Sequence, residues 1–181
     1  MRFICVFCGS RDGARPEYVR AARELGSELV RGGYGLVFGG GSTGLMGTLA
    51  DRVLEEGGQA IGVIPEFFDG HDFVHDGLHD LHVVEDMHRR KAMMYDQADA
   101  FVALPGGIGT FEELLEALTW RQLGLHDKPC GVLNTNGYYD PMLAQLRHAV
   151  GEGFLEAHQI ERIILEQEPR TLLEKLGQPS A

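Results

Sequence analysis

The sequence predicts an α/β fold, a doubly wound sheet of mainly parallel strands flanked by helices, on three observations. Apolar runs of four to six residues alternate with amphipathic stretches, glycines cluster directly after apolar runs, and no linker interrupts the series. The run Phe3-Ile4-Cys5-Val6-Phe7 predicts the first strand. Residues 16–31 predict a helix, because Tyr18, Ala21, Ala22, Leu25 and Leu29 recur at helical spacing. A strand at 36–38 runs into a glycine loop, a helix follows over about 43–56, and Ala60-Ile61-Gly62-Val63-Ile64 is a third strand stopped by Pro65. Residues 66–80 read as irregular. A short strand at 81–84, a helix at 87–97, a strand at 100–104 and a long helix at 109–123 come next, with Gly124 ending the last. A buried strand at 129–133 precedes a helix near 141–150, which has Pro141 at an early position; 163–165 and 171–176 supply a final strand and helix. Strands joined by helices of this length require right-handed crossovers and a sheet covered on both faces, a Rossmann-like architecture in which ligands sit beyond the carboxyl ends of the strands. Ser10, the glycines of 39–44 and residues 106–110 all follow strands and are expected to converge there.

One domain over residues 1–181 is the economical reading: 44% hydrophobic residues suffice for a sizeable core. The 25 glycines have no fixed period, which excludes collagen-like and disordered classes and leaves turns that feed helices. A formal net charge of −11 argues against adhesion to nucleic acid or to an anionic membrane, since both reward clustered Lys and Arg. The local pair Arg90-Lys91 is then expected to serve a small anion. The chain begins directly on a strand pattern, with no basic segment leading into a long apolar stretch, and no stretch approaches membrane-spanning length. Three cysteines without a dense framework suit a reducing cytoplasm. Cys5 and Cys8 form a C-x-x-C, read as structural because Cys5 lies inside a buried strand pattern and no second ligand pair follows.

Three segments carry the chemistry: Gly39-Gly40-Gly41-Ser42-Thr43-Gly44-Leu45-Met46-Gly47, Met87-His88-Arg89-Arg90-Lys91, and Pro105-Gly106-Gly107-Ile108-Gly109-Thr110-Phe111-Glu112-Glu113. The third follows an apolar run and opens a helical pattern, so bare backbone N–H groups are offered to a phosphate. Gly106, Gly107 and Gly109 permit close backbone approach and Thr110 adds a hydroxyl, while Glu113 would face the sugar of a nucleotide monophosphate. The glycines of 39–47 also suit close helix-to-sheet packing. Met87, Arg90 and Met94 share one side of a helix, so Arg90 leaves it beside apolar neighbours, whereas Arg89 reads as surface. Glu112 and Glu113 would be favoured in a first helical turn by the dipole alone. His71, His75, His79 and His82 invite a metal reading, but Gly70 and Gly77 argue against the regular helix that such spacing needs. A loop bordering the base pocket is the favoured account, with no metal and no cofactor.

The order and spacing of Cys5-Val6-Phe7-Cys8-Gly9-Ser10, the glycine segment 39–47, the M-H-x-R-K element 87–91, the P-G-G-x-G-T-x-E-E signature 105–113 and residues 134–140 resemble the LOG (Lonely Guy) family of cytokinin-activating phosphoribohydrolases, often labelled lysine decarboxylases. The resemblance implies hydrolysis of the N-glycosidic bond of a nucleoside 5′-monophosphate, with release of free base and ribose 5-phosphate. N6-prenylated adenosine monophosphates, and AMP itself, are the implied substrates. It assigns catalysis to Glu113, whose carboxylate would stabilise an oxocarbenium-like transition state or orient water, and to Arg90, which would stabilise the departing base. It implies substrate contacts at Ser10, Gly41, Gly44, Asp72, Arg90, Lys91, Gly106, Gly107, Gly109, Thr110, Glu112 and Thr119. Asp72 and Thr119 align less directly, and the family usually carries glutamate at the first; Ile108 stands where tyrosine is common. His88 is expected to support its motif by hydrogen bonding. The resemblance also implies a homodimer with its site near the subunit boundary, and Met87, Met93 and Met94 offer adaptable apolar surface for it. A non-catalytic nucleotide-binding or carrier module is the alternative. A dinucleotide oxidoreductase ranks lower, because the imperfect G-x-G-x-x-G follows the second strand. A pyridoxal decarboxylase ranks last, because it needs a Schiff-base lysine and Lys91 is better assigned to phosphate or carboxylate.

Overall fold

A strand buried on both sides must divide its side chains between two cores, and the first strand, β1 (Arg2–Phe7), does so. Ile4 and Val6 enter one core, Cys5 and Phe7 the other, and all four are buried. The computed structural model describes residues 1–68, 74–78 and 80–178. After β1 come α1 (Pro16–Arg31), β2 (Tyr34–Phe38), α2 (Gly44–Glu55), β3 (Ala60–Pro65), a 3₁₀ turn (Glu66–Phe68), β4 (Asp80–Val84), α3 (Met87–Gln97), β5 (Ala100–Ala103) and α4 (Ile108–Gln122). The chain continues through β6 (Cys130–Leu133), a second 3₁₀ turn (Thr135–Gly137), α5 (Asp140–Gly151), α6 (Ala157–Glu161), β7 (Ile163–Glu166) and α7 (Pro169–Leu176).

The seven strands lie in the order β4-β3-β2-β1-β5-β6-β7, and every pairing in the sheet is parallel. Ile4 sits at the centre of the register, opposite Leu36 on one side and Ala100 on the other. On one face α1, α2 and α7 contribute Leu25, Leu29, Leu49, Val53, Leu172 and Leu176 to a core with Ile4, Val6, Leu36 and Phe38. On the opposite face Met94 and Tyr95 of α3, Leu114 and Ala117 of α4 and Leu143 of α5 pack on Phe7, Val37, Val63, Phe101 and Val132. Five-residue α6 escapes sequence reading because it is too short to show a period. Pro169 at the first turn of α7 starts that helix two residues ahead of the expected 171.

The strand order reverses between β1 and β5, which is where an open α/β sheet leaves a crevice. Here Leu104 N–H donates to Phe7 O (2.9 Å) and Gly9 N–H to Pro105 O (3.1 Å), so pairing continues past the strand ends and the two following loops lie side by side. Among the described residues no helix is long and apolar enough to cross a membrane. Leu49 is fully buried in the core beneath α2, and Leu49→Ala is expected to lower unfolding free energy by about 2–5 kcal/mol, read from urea denaturation.

Candidate active site

Asp86 precedes α3 and its carboxylate accepts the Arg89 N–H at 2.8 Å, capping the helix and setting the direction in which the next residues leave it. Arg90 turns inward over the end of β3. Its Nε donates to Val63 O (3.0 Å) and its Nη1 to Glu113 Oε1 of α4 (3.0 Å), with only 12% and 11% of the two side chains exposed. Gly39 lies beneath the guanidinium: a Cβ there would fall 2.1 Å from Nη2, so this position must lack a side chain for Arg90 to reach Glu113. Tyr95 Oη, from the next turn of α3, bonds to Glu113 O and to Glu116 Oε2, both at 3.0 Å, and ties the two helices together below the pair.

Burial pushes the Glu113 carboxyl above its usual 4.5, against the lowering effect of the Arg90 charge and hydrogen bond. Burial first, and the Glu113 charge second, also raise the thiols of Cys5 and Cys8 well above the ordinary cysteine range. Both are free, buried and protonated, in keeping with a structural role.

Two helices present N-termini to this region, and they differ. Gly9 O accepts from Leu45 N (3.0 Å) and Met46 N (3.3 Å), so the first turn of α2 is already occupied. Gly107, the residue before α4, supplies no side-chain cap, and Phe111 N–H is the first in α4 to bond back, to Gly107 O (3.1 Å). The N–H groups of residues 108–110 have no partner among the described residues, so α4 alone offers an open, positively polarised end.

These parts line a crevice of about 610 Å³. Of the residues anticipated from sequence, Ser10, Gly41, Arg90, Gly107, Gly109, Thr110 and Glu113 line it. Gly44 stands behind it at φ 61°, packed against the Ser10–Arg11 backbone. Gly106 lines an adjoining crevice. Lys91 does not line the main crevice: its buried Nζ bonds to Glu112 and, at 3.0 Å, to Glu116 Oε1, between α3 and α4. Burial works against the Lys91 ammonium, but hydrogen bonds to both carboxylates outweigh it and hold the pKa above the usual value. Thr119 is exposed, with its hydroxyl donated to Leu115 O. Asp72, His71 and His79 lie outside the described residues; His75 reaches Asp51 and His82 reaches Asp80. Sequence reading passed over Cys8, Met46, Ile64 and Phe68 as crevice walls, and only the loop-end positions of Cys8 and Ile64 could have signalled them.

The chain's three lysines are all engaged elsewhere: Lys91 as described, Lys128 on Tyr95 O, and Lys175 on Glu166. None lines the crevice. Because folding raises the Glu113 pKa, its contribution to stability is fully present below 4.5 and lost as pH rises through the folded value. Glu113→Gln is therefore expected to gain stability relative to the parent as pH rises above 4.5, checked by thermal melts from pH 4 to 8.

A family profile described as "possible lysine decarboxylase" matches residues 46–176. Over 163 residues the chain is 49% identical to the cytokinin riboside 5′-monophosphate phosphoribohydrolase of Rhodococcoides fascians, covering 90% of this chain and 82% of that protein. An Arabidopsis thaliana protein of the same name is 47% identical over 175 residues, covering 97% of this chain and 81% of that one. The molybdenum cofactor binding protein of Rippkaea orientalis shares the fold, with a TM-score of 0.72 at 22% identity, over 97% of this chain and 94% of that one. With nearly half its residues shared with those enzymes over almost its full length, the chain belongs to the family of cytokinin riboside 5′-monophosphate phosphoribohydrolases, the LOG family.

Proposed function

We propose that the crevice hydrolyses the N-glycosidic bond of cytokinin riboside 5′-monophosphates, N6-prenylated adenosine monophosphates, and of AMP, releasing free base and ribose 5-phosphate. The observation that carries this reading is the Arg90–Glu113 pair, held at 3.0 Å one helical turn from the open N-terminus of α4. The 5′-phosphate takes the N–H groups at the start of α4 and the Thr110 hydroxyl. Thr110 and Glu113 are three residues apart, about 4.5 Å of helix rise, which carries the ribose toward the carboxylate.

Cleavage proceeds with the C1′–N bond breaking and its electron pair leaving on the base, while positive charge builds on the sugar. Glu113, ionised, stabilises that charge and receives a proton from the water whose oxygen bonds to C1′. The Arg90 guanidinium, fixed from behind by Val63 O, stabilises the negative charge on the leaving base until a solvent proton neutralises it. Met46, Ile64 and Phe68 supply an apolar wall suited to adenine and its prenyl substituent.

The homodimer belongs to this reading, though of the three methionines first considered Met87 alone, at 36%, is exposed. Met94 is 1% exposed and Met93 packs on a core, so both are spent within the subunit. The outer face of α4 instead leaves Ile108 at 87% and Leu115 at 39% exposure, with Glu112 and Thr119 beside them. A second copy seated there would bring Glu112 and Thr119 to a neighbouring crevice. Three free, buried thiols fit a cytoplasmic setting.

Purified protein incubated with nucleoside 5′-monophosphates, nucleosides and triphosphates is expected to release base from monophosphates only; tight binding without release would support the carrier reading instead. Glu113→Gln should keep substrate binding and lower base release by at least about a hundredfold. Since the ionised Glu113 is the active form, kcat/KM should fall as pH drops through a value above 4.5. Arg90 lowers that pKa, so the residual activity of Arg90→Gln should show its acid limb at higher pH.

A further inference from the structure

The segment 134–140 takes no part in the chemistry above, yet it is built with unusual care. Asn134 is buried, its Oδ1 accepts Tyr139 N–H at 2.8 Å and its Nδ2 donates to Asp140 Oδ1 at 2.7 Å. Asn136 and Gly137 both adopt left-handed backbone, at φ 54° and 68°. This tight turn delivers two successive tyrosines to the exit of β5: Tyr139 Oη donates to Leu104 O (2.6 Å) and Tyr138 Oη to Gly106 O. The Tyr138 ring is already held by an edge contact with Tyr18, 5.7 Å between centroids, and a stacked one with Phe111 at 6.1 Å. Its hydroxyl is therefore free to serve the loop.

We infer that Tyr138 is a positioning residue for phosphate: by holding the Gly106 carbonyl, it fixes the Gly106–Gly107 peptide so that Gly107 N–H faces the crevice. A peptide unit is planar and trans, so its C=O and N–H point in opposite directions. Tyr138 lines the adjoining crevice of about 600 Å³, whose walls include neither Arg90 nor Glu113, whereas Gly107 borders both crevices. With the carbonyl drawn toward Tyr138, the Gly107 N–H is turned toward the Glu113 side. Glycine cannot hold this orientation by itself, because Gly106 and Gly107 lack the side chains that would restrict the peptide. A Cβ at Gly106 would meet Thr110 Oγ1 at 2.1 Å, so the loop cannot gain rigidity by substitution and depends on an external clamp.

The inference rests on the proposed phosphate site, and its test separates the two. Tyr138→Phe keeps the ring and removes only the hydroxyl. The KM for AMP and the inhibition constant of ribose 5-phosphate should both rise about three- to tenfold, the range of one hydrogen bond, with kcat within about twofold. Tyr139→Phe, which frees Leu104 O instead, should lower the melting temperature without that paired rise. In ¹⁵N-labelled parent protein, ribose 5-phosphate should shift the Gly107 amide resonance and slow its hydrogen exchange, a readout independent of how any variant folds. Unchanged KM and inhibition constant in Tyr138→Phe, or a Gly107 amide indifferent to bound ribose 5-phosphate, overturns the role of Tyr138 alone. Parent protein that binds neither AMP nor ribose 5-phosphate overturns the phosphate site, and this inference with it.

Discussion

The contact between Arg90 and Glu113 governs how the rest of the molecule is arranged. Two charged groups withdrawn from water lose more in hydration than a single ion pair returns unless further hydrogen bonds hold them. The fold meets that requirement from three directions. The Val63 carbonyl at the end of β3 binds Nε, Gly39 after β2 clears space for Nη2, and Tyr95 grips the backbone of α4 at Glu113. Strands β3, β2 and β1 must be adjacent, and α3 and α4 must cross the same face, for all three to act at once. Burial still wins over the guanidinium at Glu113, which leaves a carboxylate easier to protonate than usual and so better suited to accept a proton from water.

Charge is distributed with similar economy. The chain carries a net −11, yet the crevice is lined by a helix N-terminus and two arginines, Arg11 and Arg90. A phosphate therefore meets local positive charge within an acidic protein, and part of it is the backbone dipole of α4, which no charge count reveals. The two glycine-rich loops divide the work. The loop before α2 spends its N–H groups on Gly9 O and supports the Arg90 side of the site, whereas the loop before α4 keeps its N–H groups available.

Much of the architecture was legible in the chain. Every long helix and strand follows from apolar periodicity, and a mainly parallel order follows from helices between most strands, whereas β3 and β4 pair in parallel with no α-helix between them among the described residues. The site was legible in part. Arg90, Glu113, Gly107, Gly109 and Thr110 meet in one crevice, as their motifs suggested, whereas their sequence neighbours Lys91 and Glu112 do not. Successive residues on a helix are turned by about 100°, so when Arg90 and Glu113 face the crevice, Lys91 and Glu112 are turned away from it, where the buried Lys91 ammonium pairs with the half-exposed Glu112. The motif M-H-x-R-K thus contains one residue for the crevice and one for the clamp between helices.

By itself the sequence determined which segments are the strands and the longer helices, where glycines open loops, and that an arginine, an acid and a bare helix start were present, since each depends on neighbours within a few positions. The tertiary structure alone decided that, among the described residues, the first N–H groups of α4 have no partner while those of Leu45 and Met46 in α2 do, that Lys91 is neutralised by Glu112 and Glu116, and that Tyr138 reaches Gly106. Those outcomes join residues as much as 37 positions apart, as in Met46 and Gly9, and they depend on which groups find partners once water is excluded. Local pattern has no access to that competition.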